Sequence, residues 1–250
     1  MQIRLICWNS VVRCPDVKGI TDNQQGSRYN WSMDLSQLQK DIIIGTLLGD
    51  GSLEYDKFKA SRLQIKQADR KKEYVIWLYE NMANLVKTSP KQRPDTLQWY
   101  FSTRSLRSLE EFRRMFYLNK RKMVPNSIKS SLNSPISLAV WFMDDGTLDY
   151  REKSHYSFSI SADDFTVEET KLLQDALKEN FGIISSIQTP SSRGKRYTKL
   201  YIGKEGRDRF LEIVRPYILR CFAYKLPPNH SLTPQRLILR EQNNVLLSTQ

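Results

Sequence analysis

GDGSLEYDK (residues 49–57) returns later in the chain as DDGTLDYRE (residues 144–152), and each copy comes after an apolar run, IIIGTLL and SLAVWFM. Acid, glycine, small hydroxyl residue, leucine, acid and tyrosine come in the same order both times. An apolar run of that length ending in an acid and a glycine reads as a helix and its stop. For the first copy Ser36 is a candidate N-cap, and Gly51 is expected to end the helix in left-handed geometry.

The segments downstream of the two copies also match. SRLQIKQ (61–67) alternates, with Leu63 and Ile65 on one side and Arg62, Gln64 and Lys66 on the other. A helix opened by Asp69 comes next, then LQWYFST (97–103), with Leu97, Trp99 and Phe101 inward and Gln98, Tyr100 and Ser102 outward, then the helix SLEEFRRMFY (108–117). After the second copy, YSFSISA (156–162) puts Phe158 and Ile160 inward and three serines outward. TVEETKLLQDALKENFG (166–182) is a capped helix closed by glycine. Strands GIISSIQT (182–189) and RYTKLYIG (196–203) and the helix GRDRFLEIVRPYI (206–218) complete the copy. The chain therefore reads as an α+β protein, a duplicated αββαββα unit with pseudo-twofold symmetry and two antiparallel sheets; a parallel α/β fold would alternate single strands with helices. The expected boundaries are an N-terminal extension at 1–33, a first half at 34–118, a basic linker at 119–134, a second half at 135–230 and a tail at 231–250.

Charge narrows the partner. Thirty-nine Lys and Arg against 27 Asp and Glu give +12, with a pI near 9.6. Such a balance favours polyanions through electrostatic attraction and counterion release. No run reaches the ~18 apolar residues of a membrane span, and the first residues do not read as a signal peptide. Three cysteines without a CxxC pair and only two histidines argue against a disulfide framework, a zinc site and a histidine-pair mechanism. If the chain binds a metal, the scarcity of His and Cys puts it on oxygen ligands. The cysteine usage points to a reducing compartment, not a secreted setting.

Asp50 and Asp145 stand at the C-terminal ends of their helices, where the backbone dipole is negative and an acid needs positive compensation. If the helices pack side by side, with Gly45 and Gly49 letting the backbones approach, both carboxylates reach one end of the interface. Two acids at the centre of a basic, pseudo-symmetric protein suit a divalent cation. A single acid before a glycine at a helix end is commonplace; the duplication is what separates this pair from ordinary helix ends.

IIIGTLLGDG (42–51) and SLAVWFMDDG (137–146) resemble the two motifs of single-chain LAGLIDADG homing endonucleases, and the resemblance covers the chain from about residue 35 to 228. It implies motif helices at a pseudo-dimer interface, two sheets forming a DNA-binding saddle, and a monomeric, site-specific double-strand DNA endonuclease leaving 3′ overhangs. It further implies Mg²⁺ as cofactor, with Mn²⁺ able to substitute, held by Asp50 and Asp145, with Gly49 and Asp144 as further metal-site positions. RKMVPN (121–126) and YKLPPN (224–229) recur after each half, so Lys122 and Lys225 match the family's basic catalytic residues. Val140 stands where the motif has glycine and Asp144 where it has a small residue. An RNA splicing maturase, with intron RNA as partner, or a non-cleaving DNA-binding regulator on the same fold is the alternative.

Base and phosphate contacts are expected from Arg62, Gln64, Lys66, Gln98, Tyr100, Ser102 and Arg104 in the first half, and from Ser157, Ser159, Ser161, Gln188, Lys199 and Tyr201 in the second. SSRGKRYTK (191–199) packs four cations into nine positions and reads as a hairpin contacting phosphates through Arg193, Lys195, Arg196 and Lys199.

Overall fold

The computed structural model describes residues 33–55, 60–152, 155–192 and 194–228. The expected N-terminal extension up to residue 32, the tail at 231–250 and Arg193 lie outside the described residues.

The first half runs α1 (Gln37–Leu48), β1 (Ser52–Tyr55), β2 (Ser61–Gln67), α2 (Lys72–Asn81), β3 (Lys91–Gln92), β4 (Trp99–Ser102) and α3 (Glu110–Phe116). A tight hairpin, β5 (Tyr117–Leu118) and β6 (Arg121–Lys122), and one helical turn, α4 (Ile128–Ser131), join it to the second half. That half runs α5 (Pro135–Asp145), β7 (Gly146–Arg151), β8 (His155–Ser161), α6 (Val167–Phe181), β9 (Ser186–Gln188), the small hairpin β10 (Ser191–Ser192) and β11 (Lys195–Arg196), β12 (Lys199–Ile202) and α7 (Arg207–Val214). The main sheets have strand orders β1-β2-β4-β3 and β7-β8-β12-β9, antiparallel throughout. Apart from the inserted small hairpin, one topology is used twice, as the duplicated motif implies.

Local chemistry sets the element ends. Ser36 accepts the backbone N–H of Gln39, and the Gln39 side chain accepts that of Ser36, a reciprocal capping box at the start of α1. Thr166 and Glu169 do the same for α6, which Gly182 closes at φ 67°. Gly51 does not take the left-handed conformation expected of it: among the described glycines only Gly182 and Gly194 have positive φ. Its constraint is closeness, because a Cβ there would lie 2.8 Å from the carbonyl oxygen of Thr46, which accepts the Gly51 N–H.

α1 and α5 pack directly against each other. A Cβ on Gly45 would sit 2.5 Å from the Ser137 carbonyl oxygen and 2.7 Å from the Val140 Cβ; one on Gly49 would sit 2.5 Å from the Asp144 Cβ. Both departures from the motif pattern therefore face a glycine of the first motif, Val140 against Gly45 and Asp144 against Gly49. Ser137 clamps the crossing by donating to the Asp41 carbonyl oxygen at 2.8 Å. Around it, Ile42, Ile43, Leu47, Trp141 and Phe142 are wholly buried, and Phe142 meets Phe158 and Phe210 edge to face. α2 lies against β2 and β4, and α6 against β9 and β12, so each sheet is covered by helix on one face.

Alternation predicts β2 well, with Ser61, Leu63, Ile65 and Gln67 buried and Arg62 and Lys66 exposed. It fails at Leu97, which is 56% exposed at φ 55° in the turn before β4 instead of facing inward. Ser157 also departs from the outward reading, being 1% exposed. The linker is more than a basic connector: Val124, Ile128 and Leu132 are buried, and Asn180 of α6 donates to the carbonyls of Lys129 and Leu132.

Candidate active site and nucleic-acid interface

Both acids stand where their helices end against each other. Asp50 lies two residues beyond α1 and is exposed, whereas Asp145 is the last residue of α5 and half-buried. Burial, then the negative charge of Asp50, pushes the Asp145 carboxyl up to about 7, with Lys122 and Lys225 pulling the other way. Asp144, buried behind them, is driven well above the usual carboxylate range by burial and then by Asp50 and Asp145.

The positive compensation that the helix dipoles require comes from lysines. Lys122 donates to the carbonyl oxygens of Gly49 at 2.6 Å and Gly51 at 3.1 Å, just beyond the end of α1. Lys225 donates to Phe142 at 3.1 Å and Met143 at 2.7 Å at the end of α5. Lys225 thus caps α5 and Lys122 ties down the turn just beyond α1, and burial lowers both, Lys225 to about 8. Lys71, which no sequence pattern singles out, reaches Asp50 at 3.6 Å.

Gln67 is a second site residue absent from the sequence-based expectations. Its Nε2 donates to Asp50 Oδ2 at 2.8 Å and to Asp144 Oδ1 at 3.1 Å, joining acids from the two halves. The signal was present: Gln67 lies in phase with Leu63 and Ile65 on the buried side of β2, and a polar residue at such a position needs partners there.

Hard-cation chemistry fits this end of the interface. Asp50 and Asp145 are like charges close enough to raise Asp145, a cost that a divalent cation between oxygen ligands relieves. No group of three or more His, Cys, Asp or Glu side chains suited to a metal occurs among the described residues. Asp144 is 9% exposed, and its two oxygens already accept from Gln67 and from the Asp50 backbone N–H.

The open sheet faces carry the residues expected to touch nucleic acid. Cross-strand register aligns Ser52, Gln64 and Ser102 in one row, and Lys66, Tyr100 and Lys91 in another. One cleft is lined by Arg62, Gln64, Lys66, Arg93, Tyr100 and Ser102, and its neighbour adds Lys87, Lys91 and Arg104. Gln98 is half-buried just before β4. Arg62 is held by Glu54, its cross-strand partner, at 2.8 Å from Nε. In the second sheet Ser161, Lys199 and Gln188 share one row, and Thr147, Ser159, Tyr201 and Ser186 another. Buried Ser157 stands apart from that open set. Lys195 and Arg196 are exposed on the small hairpin.

Comparison with known proteins agrees with this architecture. The LAGLIDADG DNA endonuclease family model matches residues 40–210. DNA endonuclease I-ChuI of Chlamydomonas applanata is 28% identical over 212 residues, covering 78% of this chain and 96% of that protein. Cytochrome b mRNA maturase bI2 of Debaryomyces hansenii is 27% identical over 211 residues, covering 79% of this chain and 76% of that protein. Among solved structures, the homing endonuclease I-WcaI bound to its DNA recognition sequence superposes with a TM-score of 0.69 at 25% identity, over 80% of this chain and 90% of that one.

Proposed function

The chain belongs to the LAGLIDADG DNA endonuclease family, and on that ground we propose that it is a site-specific homing endonuclease that hydrolyses one phosphodiester on each strand of a long DNA duplex, leaving 3′ overhangs. The observation that carries this reading is the pair Asp50 and Asp145, brought from two halves of the sequence to the joined ends of α1 and α5 and flanked by Lys122 and Lys225. A protein that only bound nucleic acid would have no use for two acids whose proximity costs it stability.

Asp50 and Asp145 are the residues that would hold Mg²⁺ or Mn²⁺, which supplies Lewis acidity to the scissile phosphates. The protein contributes position and charge. Lys122 has two of its three N–H groups on the Gly49 and Gly51 carbonyls, which leaves one for a phosphate oxygen. Lys225, 5% exposed, lies over the Phe142 and Phe222 rings and gives its N–H groups to backbone, so its part is to fix the end of α5 and the direction of Asp145. Gln67 orients the Asp50 carboxylate. The rows of amide, hydroxyl and ammonium groups on the open sheet faces supply base and phosphate contacts, and the +12 charge supplies attraction to the duplex.

The protein acts as a monomer, since the duplication provides both half-sites in one chain. The maturase relative supports intron RNA as a second partner. No helix among the described residues is long and apolar enough to cross a membrane, and Cys221 is a free thiol, which suits a reducing compartment such as an organelle or a bacterial cytoplasm. The test is incubation with a randomised duplex library in Mg²⁺ or in EDTA, sequencing the new ends. Metal-dependent cuts at one long sequence are expected; absence of cuts together with tight binding to structured intron RNA would move the function to splicing.

A further inference from the structure

We propose that Asp144, supplied by the second half, is a positioning residue for the first half's acid, and that the two half-sites are therefore built differently. The inference rests on the endonuclease reading. Asp144 Oδ2 accepts the backbone N–H of Asp50 at 3.2 Å, and Oδ1 accepts Gln67 Nε2 at 3.1 Å, while the same nitrogen donates to Asp50 Oδ2 at 2.8 Å. The three residues close a triangle that holds both the backbone and the side chain of Asp50. Its corners come from β2, from the turn after α1 and from α5, so the triangle also ties one half of the molecule to the other.

The interface is shaped to admit this carboxyl. Gly49 faces it, and a Cβ on Gly49 would lie 2.5 Å from the Asp144 Cβ and 2.6 Å from Oδ2. With both oxygens accepting from protein N–H groups and 9% of the residue exposed, Asp144 is occupied in holding its neighbours rather than in binding an ion.

The second half lacks the matching parts. Gly49 occupies in the first motif the place that Asp144 occupies in the second. Register identifies the counterpart of Gln67: Ser52 pairs with Gln64 and Thr147 with Ser159, and three residues further on stand Gln67, the last residue of β2, and Ala162, just past the end of β8. Glycine and alanine offer no side-chain hydrogen bond, so Asp145 has no triangle of this composition. Loss of the Asp144 carboxyl is thus felt on one strand of the DNA more than on the other.

The experiment uses the duplex recovered from the randomised library, with a different fluorophore on each strand, and tracks both cuts in single turnover. Asp144→Asn retains one acceptor oxygen, and Asp144→Ala retains the Cβ against Gly49 while supplying the small residue the motif has at this place. In both variants one strand is expected to slow about 10–100-fold, the range for loss of an orienting partner, with the other strand within about threefold and Kd unchanged. The slowed strand should be the one that slows in Gln67→Ala, and Asp144→Ala should add little in that background, because the residues act as a unit. Equal slowing of both strands, or no slowing in a folded variant, overturns the inference while leaving the endonuclease reading intact. No cutting by the unmutated protein overturns both.

Discussion

Lys225 Nζ lies 2.7 Å from the carbonyl oxygen of Met143, a buried ammonium set against the end of a buried helix. The last carbonyls of a helix have no intrahelical donors, and the dipole makes that end negative. A cation there answers both needs, which explains how α5 can finish on two consecutive acids, Asp144 and Asp145. Lys122 ties down the turn at Gly49, so the recurrence of RK and YK segments after each half goes with the recurrence of acid-ended helices.

Lys225→Met keeps the side-chain volume and removes the donors. Leaving those buried carbonyls unpaired is expected to cost about 1–3 kcal/mol of stability and to slow cleavage with little change in DNA affinity. Chemical denaturation and single-turnover cleavage read the two effects; unchanged stability would mean that water or another donor replaces the ammonium.

The raised Asp145 carboxyl sets a pH dependence for the metal-free protein. Its pKa goes from 3.8 to about 7 on folding, so the folded state holds the proton more tightly. That contribution to stability is full below about pH 4 and is lost as pH rises through 7. Lys225 goes from 10.5 to about 8, which favours folding as pH climbs above 8. The melting temperature in EDTA should therefore fall between pH 4 and 7, and stabilisation by Mg²⁺ should grow over the same interval. In Asp145→Asn the fall should be shallower; an unaltered profile would contradict the assignment.

Close approach of α1 to α5 predicts that Gly45→Ala is damaging despite alanine's better helix propensity. The added methyl group would meet the Ser137 carbonyl oxygen at 2.5 Å and the Val140 Cβ at 2.7 Å. Overpacking of this kind costs roughly 1–3 kcal/mol. Urea unfolding measures it, and a neutral or stabilising result would mean that the helices are not in this contact.

On the open sheet, Arg62→Ala should weaken DNA binding and reduce the slope of log K against log salt by about 1, the contribution of one phosphate contact. Glu54 holds Arg62 at 2.8 Å in the free protein. Glu54→Gln should therefore release the guanidinium and strengthen binding at low salt. A titration at several salt concentrations checks both.

Much of this arrangement was legible because it depends on local chemistry. The Ser36 cap, the glycine at 182 and the alternation in 61–67 arise from the residues concerned and their spacing. What escaped depends on how distant segments meet. Leu97 continues an alternating pattern on paper, but the chain has to turn before β4, and the turn takes it. Gly51 is expected to end the helix, but the cap is Gly49, and what Gly51 answers to is closeness to Thr46, a matter of packing and not of φ. Gln67 and Lys71 reach Asp50 only because β2 runs back towards the end of α1.

The paired acids are tested most directly by single-turnover cleavage of the library-derived duplex in Mg²⁺ by the unmutated protein, Asp50→Asn and Asp145→Asn, with Kd measured in parallel. Each variant is expected to lose double-strand cleavage, by at least about 10²–10³-fold, while binding the duplex as tightly as the parent. Normal cutting by either variant would remove the paired acids from the chemistry and contradict the catalytic assignment.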